Sequence, residues 1–290
     1  MKIVEITYRY DGSVAVGRPR PGDAGAARDR LDEGARTSAA LFDDIREGTG
    51  TARRVIPVDP RDLGLDSGDP RTPAQRPFAA VLGCSDARVP IELIFNEGPN
   101  DLFVVRVAGN GLGGDVLGSL KYAVDHLGES LKLIVVLGHS GCGAVSAAVD
   151  VVLDPKAYLS LAEKHSLRSI LDRLLVVVHA AAQRMAEVHG PDVQRRRGYR
   201  AALIEAAVVA NAGLAAYTVQ QEIGATLPHA LRAAYGVYLL GARRIWAPRS
   251  GDPTCEGLAY APPDLAAFAE FSDSVVRSER IASLLEGRAE

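Results

Sequence analysis

Three short, almost unbroken apolar runs constrain this chain most: Phe78 to Leu82, Leu102 to Val107 and Leu131 to Leu137. They lack the polar alternation of a half-solvated strand, and their length suits strands buried on both faces of a parallel sheet. Between the last two, Val116, Leu117, Leu120, Val124 and Leu127 recur at helical spacing, with Asp115 as the predicted N-cap and Gly128 just past the end. Val237 to Leu240, bracketed by Gly236 and Gly241, reads as a short fourth strand. This alternation predicts an α/β fold whose central, mostly parallel sheet of about four core strands is flanked by helices.

Outside that middle the signals are simpler. Val4, Ile6, Tyr8 and Tyr10 alternate up to Asp11-Gly12, a favoured hairpin turn, after which Val14-Ala15-Val16 returns. Arg18 to Gly22 reads as a linker. The expected organisation is therefore an N-terminal hairpin arm over 1–22 and a single domain over 23–290. Leu31, Ala35, Ala39, Phe42 and Ile45 mark a helix closing at Gly48, and residues 57–77 read as a loop. Residues 150–225 are largely helical, with a stripe through Leu167, Ile170, Leu171, Leu174, Leu175 and Val178 and an alanine-rich helix from about Ala201. A last amphipathic helix uses Leu265, Phe268, Val275, Val276, Leu284 and Leu285.

The 290 residues suffice for a substantial core, and 47% hydrophobic with 24% charged residues is ordinary for a soluble globular protein. A net charge of −3 gives no electrostatic case for nucleic acid or an acidic membrane surface. Arg195-Arg196-Arg197 is too small a basic cluster to change that, and reads as a solvated segment. No apolar run approaches the roughly 18–20 residues needed to span a bilayer, and Met1 to Ile6 does not read as a secretory signal, so a cytoplasmic location is expected. The three cysteines, at 84, 142 and 255, are a poor disulfide framework and point to metal binding or catalysis.

Two of those cysteines leave the ends of predicted strands. Cys84-Ser85-Asp86-Ala87-Arg88 follows the first run and His139-Ser140-Gly141-Cys142-Gly143 follows the third. Strand ends of an α/β sheet are where ligand sites collect. Cys84, His139 and Cys142 supply three ligands of the softness zinc prefers and leave a fourth position open for water. Zinc lowers the pKa of bound water from about 16 to near 7. Asp86 is placed to aim the resulting nucleophile, and Arg88 to fix that carboxylate by a charge-assisted pair. A cysteine nucleophile activated by His139 is the other chemistry available, but it leaves Cys142 and the Asp–Arg pair without a role.

A Cys-x-Asp-x-Arg segment followed by His-x-x-Cys-Gly resembles the β-class carbonic anhydrases, as does the stretch from Gly98 to Asn110 and from Ser119 to Val124. The resemblance is tight over residues 75–149. It implies one zinc per chain on Cys84, His139 and Cys142, with Asp86–Arg88 as the orienting dyad. It implies reversible hydration of carbon dioxide to bicarbonate by a zinc-bound hydroxide, in a homodimer or larger homo-oligomer. Gln75, Phe103 and Tyr122 match positions that line the carbon dioxide pocket in the plant-like, open form of the family. Val81 stands where the other form carries a bicarbonate-binding Trp. His126 falls where some members carry a suspected proton shuttle. Ala87 replaces the usual Ser or Thr of the motif. Members that hydrolyse carbon disulfide share the ligand set, and a catalytically silent zinc-binding homologue is the third reading.

Overall fold

The computed structural model describes residues 3–10, 19–48, 51–64, 72–156, 158, 165–223, 231–249, 251–252 and 254–288. In chain order the main elements are β1 (Ile3–Tyr10), α1 (Ala24–Glu47), β2 (Thr51–Val58), β3 (Ala79–Gly83), α2 (Ile91–Phe95), β4 (Leu102–Arg106), α3 (Gly114–Leu127), β5 (Leu133–His139) and α4 (Gly143–Leu153). They continue with α5 (His165–His189), α6 (Tyr199–Glu222), β6 (Arg232–Leu239), β7 (Arg244–Trp246), β8 (Ala259–Tyr260), α7 (Leu265–Arg277) and α8 (Glu279–Leu285).

The apolar runs form the expected sheet. Among the described residues it has six strands in the order β4-β3-β5-β6-β7, with β8 also paired to β6. The β4, β3, β5 and β6 strands are mutually parallel, whereas β7 and β8 run antiparallel to β6. The fourth strand is longer than the sequence suggested, because Gly236 lies inside it: a side chain there would press on Ile245 and Leu258. Successive side chains of a strand point to opposite faces. Ala80, Leu82, Ile134 and Val136 accordingly join a core under α3 to α8, while Ala79, Val81, Leu133, Val135 and Leu137 join a second core with residues of α1 and α2.

The helices have local causes. Asp23 caps α1 by accepting from the Ala26 amide at 2.8 Å, and Leu31, Ala35 and Ala39 form its buried stripe. α3 begins earlier than expected, at a Gly113 cap without a side-chain bond, so Asp115 lies in its first turn instead of capping it. There its charge still opposes the helix dipole favourably. The final helix is two: Ser278 ends α7 and caps α8 through its hydroxyl. α6 corrects the sequence reading on membranes, since it is long and apolar enough to cross one; 78% of its apolar window is buried within the fold, which makes it a core helix.

The N-terminal strand has a partner that the sequence did not suggest. β1 pairs in parallel with β2, from Ile3 opposite Thr51 to Tyr10 opposite Val58, with α1 as the crossover. The Asp11-Gly12 turn and the return segment 14–16 lie outside the described residues. The segment 57–77 contributes the end of β2 and a short 3-10 turn, Pro60–Leu63, which sequence reading took for loop. β2 escaped notice because Arg53, Arg54 and Pro57 break its apolar alternation.

Candidate metal centre

β3 and β5 are adjacent and parallel, so their C-terminal ends open on the same side of the sheet. Cys84 follows β3 directly, His139 is the last residue of β5, and Cys142 caps α4. The strand order therefore brings together groups 55 positions apart in sequence. The Cys84 Sγ, Cys142 Sγ and a His139 ring nitrogen all lie within 4.8 Å of one another, and all three residues are buried. The two sulfurs are 4.0 Å apart.

Each donor is held by its neighbours. Gly109, at φ +67°, turns its amide to donate to Cys84 Sγ at 3.3 Å. The Gly109 carbonyl in turn accepts from the Asn211 side chain of α6 at 2.9 Å. His139 Nδ1 lies 3.1 Å from the Ser140 carbonyl, which can only accept, so Nδ1 carries the hydrogen and Nε2 presents its lone pair. Gly141, at φ +61°, makes the turn between the histidine and Cys142, and its amide donates to Glu205 at 2.8 Å. Glu205 is itself buried and paired with Arg280 at 3.1 Å. Arg106 braces the first loop by donating to the Cys84 and Asp86 carbonyls.

The electrostatics suit a cation. The neighbouring Cys142 thiol, which can donate to it, holds Cys84 far below the ordinary thiol range against the opposing effect of burial. The same closeness, with burial, pushes Cys142 up, since two thiolates so near each other repel without a positive charge between them. The Cys142 position at the N-terminus of α4 favours an anionic sulfur once such a charge is present. His139 Nε2 is buried without a hydrogen-bond partner. A buried, unpaired ring nitrogen beside two cysteine sulfurs is what a tetrahedral zinc would satisfy. With Zn–S bonds of about 2.3 Å such a centre spaces its sulfurs by about 3.8 Å. The observed 4.0 Å fits.

Asp86 stands next to this cluster without joining it. Its two carboxylate oxygens accept from the Arg88 guanidinium at 3.0 and 2.7 Å, and Oδ1 also accepts from the Arg88 amide at 2.9 Å. Those bonds hold its carboxyl well below the usual carboxylate range. Asp86 Oδ2 lies 3.8 Å from His139 Nε2, beside the point where the three donors converge.

A family model described as carbonic anhydrase matches residues 79–225. This chain belongs to the β-class carbonic anhydrase family. It is 47% identical over 105 residues to a carbonic anhydrase of Mycolicibacterium smegmatis, covering 36% of this chain and 50% of that one. It is 51% identical over 80 residues to carbonic anhydrase 2 of Mycobacterium tuberculosis, covering 28% and 38%. The chain thus spans half or less of the length of these relatives. Two solved structures overlay in part: the β-carbonic anhydrase CcaA, at TM-score 0.45, 24% identity and coverage of 64% of this chain and 85% of that one, and a Coccomyxa β-carbonic anhydrase with acetazolamide, at 0.41, 22%, 77% and 83%.

The remaining residues singled out in this chain lie elsewhere. Phe103 is opposite Ala80 near the start of β3, whereas Cys84 follows its end, some four residues or about 13 Å along the sheet. Gln75 precedes β3 and lines an open cleft with His126. Tyr122 is 51% exposed on α3, with its ring stacked 4.2 Å from that of His126. His126 Nδ1 contacts the Tyr122 carbonyl at 3.1 Å. Sequence reading missed Arg106, Gly109, Glu205 and Asn211. Glu205 and Asn211 had a faint signal, as polar residues within an otherwise apolar, alanine-rich helix.

Proposed function

We propose that this chain hydrates carbon dioxide reversibly to bicarbonate and a proton, with one zinc on Cys84, His139 and Cys142. When bound, the metal supplies an acidified water at neutral pH. The chain's residues do the rest. Cys84 and Cys142 neutralise the metal charge, and the Ser140 carbonyl keeps the His139 ring in the tautomer that leaves Nε2 free. Asp86, kept ionised by its Arg88 clamp, would accept a hydrogen bond at a carboxylate oxygen from the nucleophile and so aim its lone pair at the substrate carbon. The clamp also keeps Asp86 out of the ligand set.

The observation that carries this reading is the intact Asp86–Arg88 pair beside a three-donor cluster. A purely structural zinc has no need of such a pair, and would call for a fourth Cys or His. The paired Asp86 also supports the plant-like, open form. Gln75 and Phe103 sit towards the opposite end of β3 from their own cluster. They suit a homodimer in which Gln75, Phe103 and Tyr122 of one chain wall the apolar pocket of its partner. His126, exposed on α3, would pass the proton to buffer.

Stopped-flow indicator assays test the proposal. The zinc-loaded wild type should hydrate carbon dioxide, and Asp86→Ala should keep its zinc while losing roughly 10²–10³-fold in kcat. Turnover of carbon disulfide without carbon dioxide hydration would assign the other substrate. Full zinc content with equal inertness of wild type and variant would reduce the site to a silent metal centre.

A further inference from the structure

On the outer side of Arg88, a cavity of about 450 Å³ opens between α1, α2 and the turn that joins β6 to β7. That volume lies within the roughly 300–1,000 Å³ of small-molecule sites. The segments that wall it, 24–46, 86–95 and 232–246, lie wholly within the described residues. Two cations line it, Arg88 and Arg243, and among the described residues no carboxylate does. Phe42, Leu93, Ile94 and Leu240 supply apolar wall.

The polar groups of this wall have donors to spare. Arg88 spends Nε and Nη2 on Asp86, which leaves Nη1 without a hydrogen bond among the described residues. Arg243 has no ion pair there. Its guanidinium carbon lies 4.8 Å from the centre of the Phe42 ring, a contact that leaves its N–H groups to bond elsewhere. The turn that carries it is fixed: the Arg243 amide donates to the Leu239 carbonyl at 2.7 Å, and the Leu240 amide to Ser140 Oγ at 2.9 Å. Arg243 is held there at φ +57°, a conformation that costs free energy in any residue with a Cβ.

Tyr238 also lines the cavity. It is 7% exposed, and its hydroxyl has no hydrogen-bond partner among the described residues, although buried tyrosines usually find one. Burial raises its pKa against the opposing charge of Arg243, so the hydroxyl keeps its proton and can donate. Three side chains with unspent donors, two of them cationic, thus border one apolar space. The missing partner is an anion that carries an apolar body.

We propose that this cavity binds a small monocarboxylate, its oxygens held by Arg88, Arg243 and the Tyr238 hydroxyl and its apolar body among Phe42, Leu93, Ile94 and Leu240. Because Arg88 would offer Nη1, occupancy leaves its two bonds to Asp86 in place. The site takes nothing from the metal, so its failure leaves the catalytic reading untouched.

Isothermal titration calorimetry of the zinc-loaded full chain with benzoate tests it. Benzoate should bind about tenfold or more tightly than benzamide, which has the shape without the charge, and than acetate, which has the charge without the body. Arg243→Asn removes the cation while keeping a residue that tolerates the left-handed backbone, and should weaken benzoate by about tenfold or more. Tyr238→Phe removes only the hydroxyl and should weaken it by about fivefold or more. Equal affinity for benzoate and benzamide, or a benzoate Kd above about 10 mM, would overturn the proposal. So would wild-type benzoate affinity in both variants, which would place the anion on the metal instead.

Discussion

At the scale of single residues, Asp32 illustrates how position changes a side chain's chemistry. It lies on α1, half-buried, and accepts from the Leu258 amide at 2.8 Å. Burial raises its pKa from 3.8 to about 6, against the pull of that amide and of Arg28, Arg36 and Arg249. The folded state therefore binds the proton more tightly than the unfolded chain. This contribution to stability is complete below about pH 4 and is lost as pH rises towards 6. Asn at this position still offers an oxygen to Leu258 but carries no charge. Asp32→Asn should be more stable than wild type at pH 7 by about 1–3 kcal/mol, and the gain should vanish near pH 4. Urea denaturation at both pH values checks this; parallel curves would show that Asp32 is not strained. The cluster of Cys84, His139 and Cys142 was legible at the same scale, because Cys-x-Asp-x-Arg and His-x-x-Cys-Gly are local patterns. Glu205 was not, because its value lies in a bond to Gly141, 64 positions earlier.

At the scale of elements, close approach decides what sequence patterns leave open. The α1 stripe through Leu31, Ala35 and Ala39 was legible from spacing, but Gly34 between them was not. A Cβ on Gly34 would lie 1.8 Å from the Phe95 carbonyl oxygen at the end of α2. Backbone cannot yield as a side-chain tip can. Gly34→Ala should therefore cost about 1–3 kcal/mol or more, although alanine is the better helix former by about 1 kcal/mol. Gly118 of α3 is the control, since nothing lies within 4 Å of its added Cβ. Gly118→Ala should be neutral or stabilising by up to about 1 kcal/mol. Thermal unfolding of the two variants separates packing from propensity; equal effects would mean that α1 and α2 do not meet as described.

At the scale of the whole molecule, the metal loop is tied to the far end of the chain. Arg280 of α8, beyond the stretch matched by the family model, pairs with buried Glu205, which holds the Gly141 amide between His139 and Cys142. Arg280 also lies over the Trp246 ring, 5.7 Å from its centroid. Removing its charge takes from Glu205 the cation it pairs with among the described residues and frees it to move the loop. Arg280→Met should weaken zinc binding by roughly 10–100-fold in chelator competition, with Arg280→Lys intermediate. Wild-type affinity in Arg280→Met would confine the C-terminal helices to packing.

The sequence by itself determined the α/β class, three core strands and the three residues whose cluster could hold a metal, because burial on both faces and a strand-end motif are written in consecutive residues. Tertiary structure alone decided the parallel pairing of β1 with β2, the burial of a helix apolar enough for a membrane, and the separation of Gln75 and Phe103 from their own cluster. It also chose Glu205, Asn211 and Arg106 as supports. Those are relations between residues tens to hundreds of positions apart, fixed by strand order and packing, and no local pattern records them.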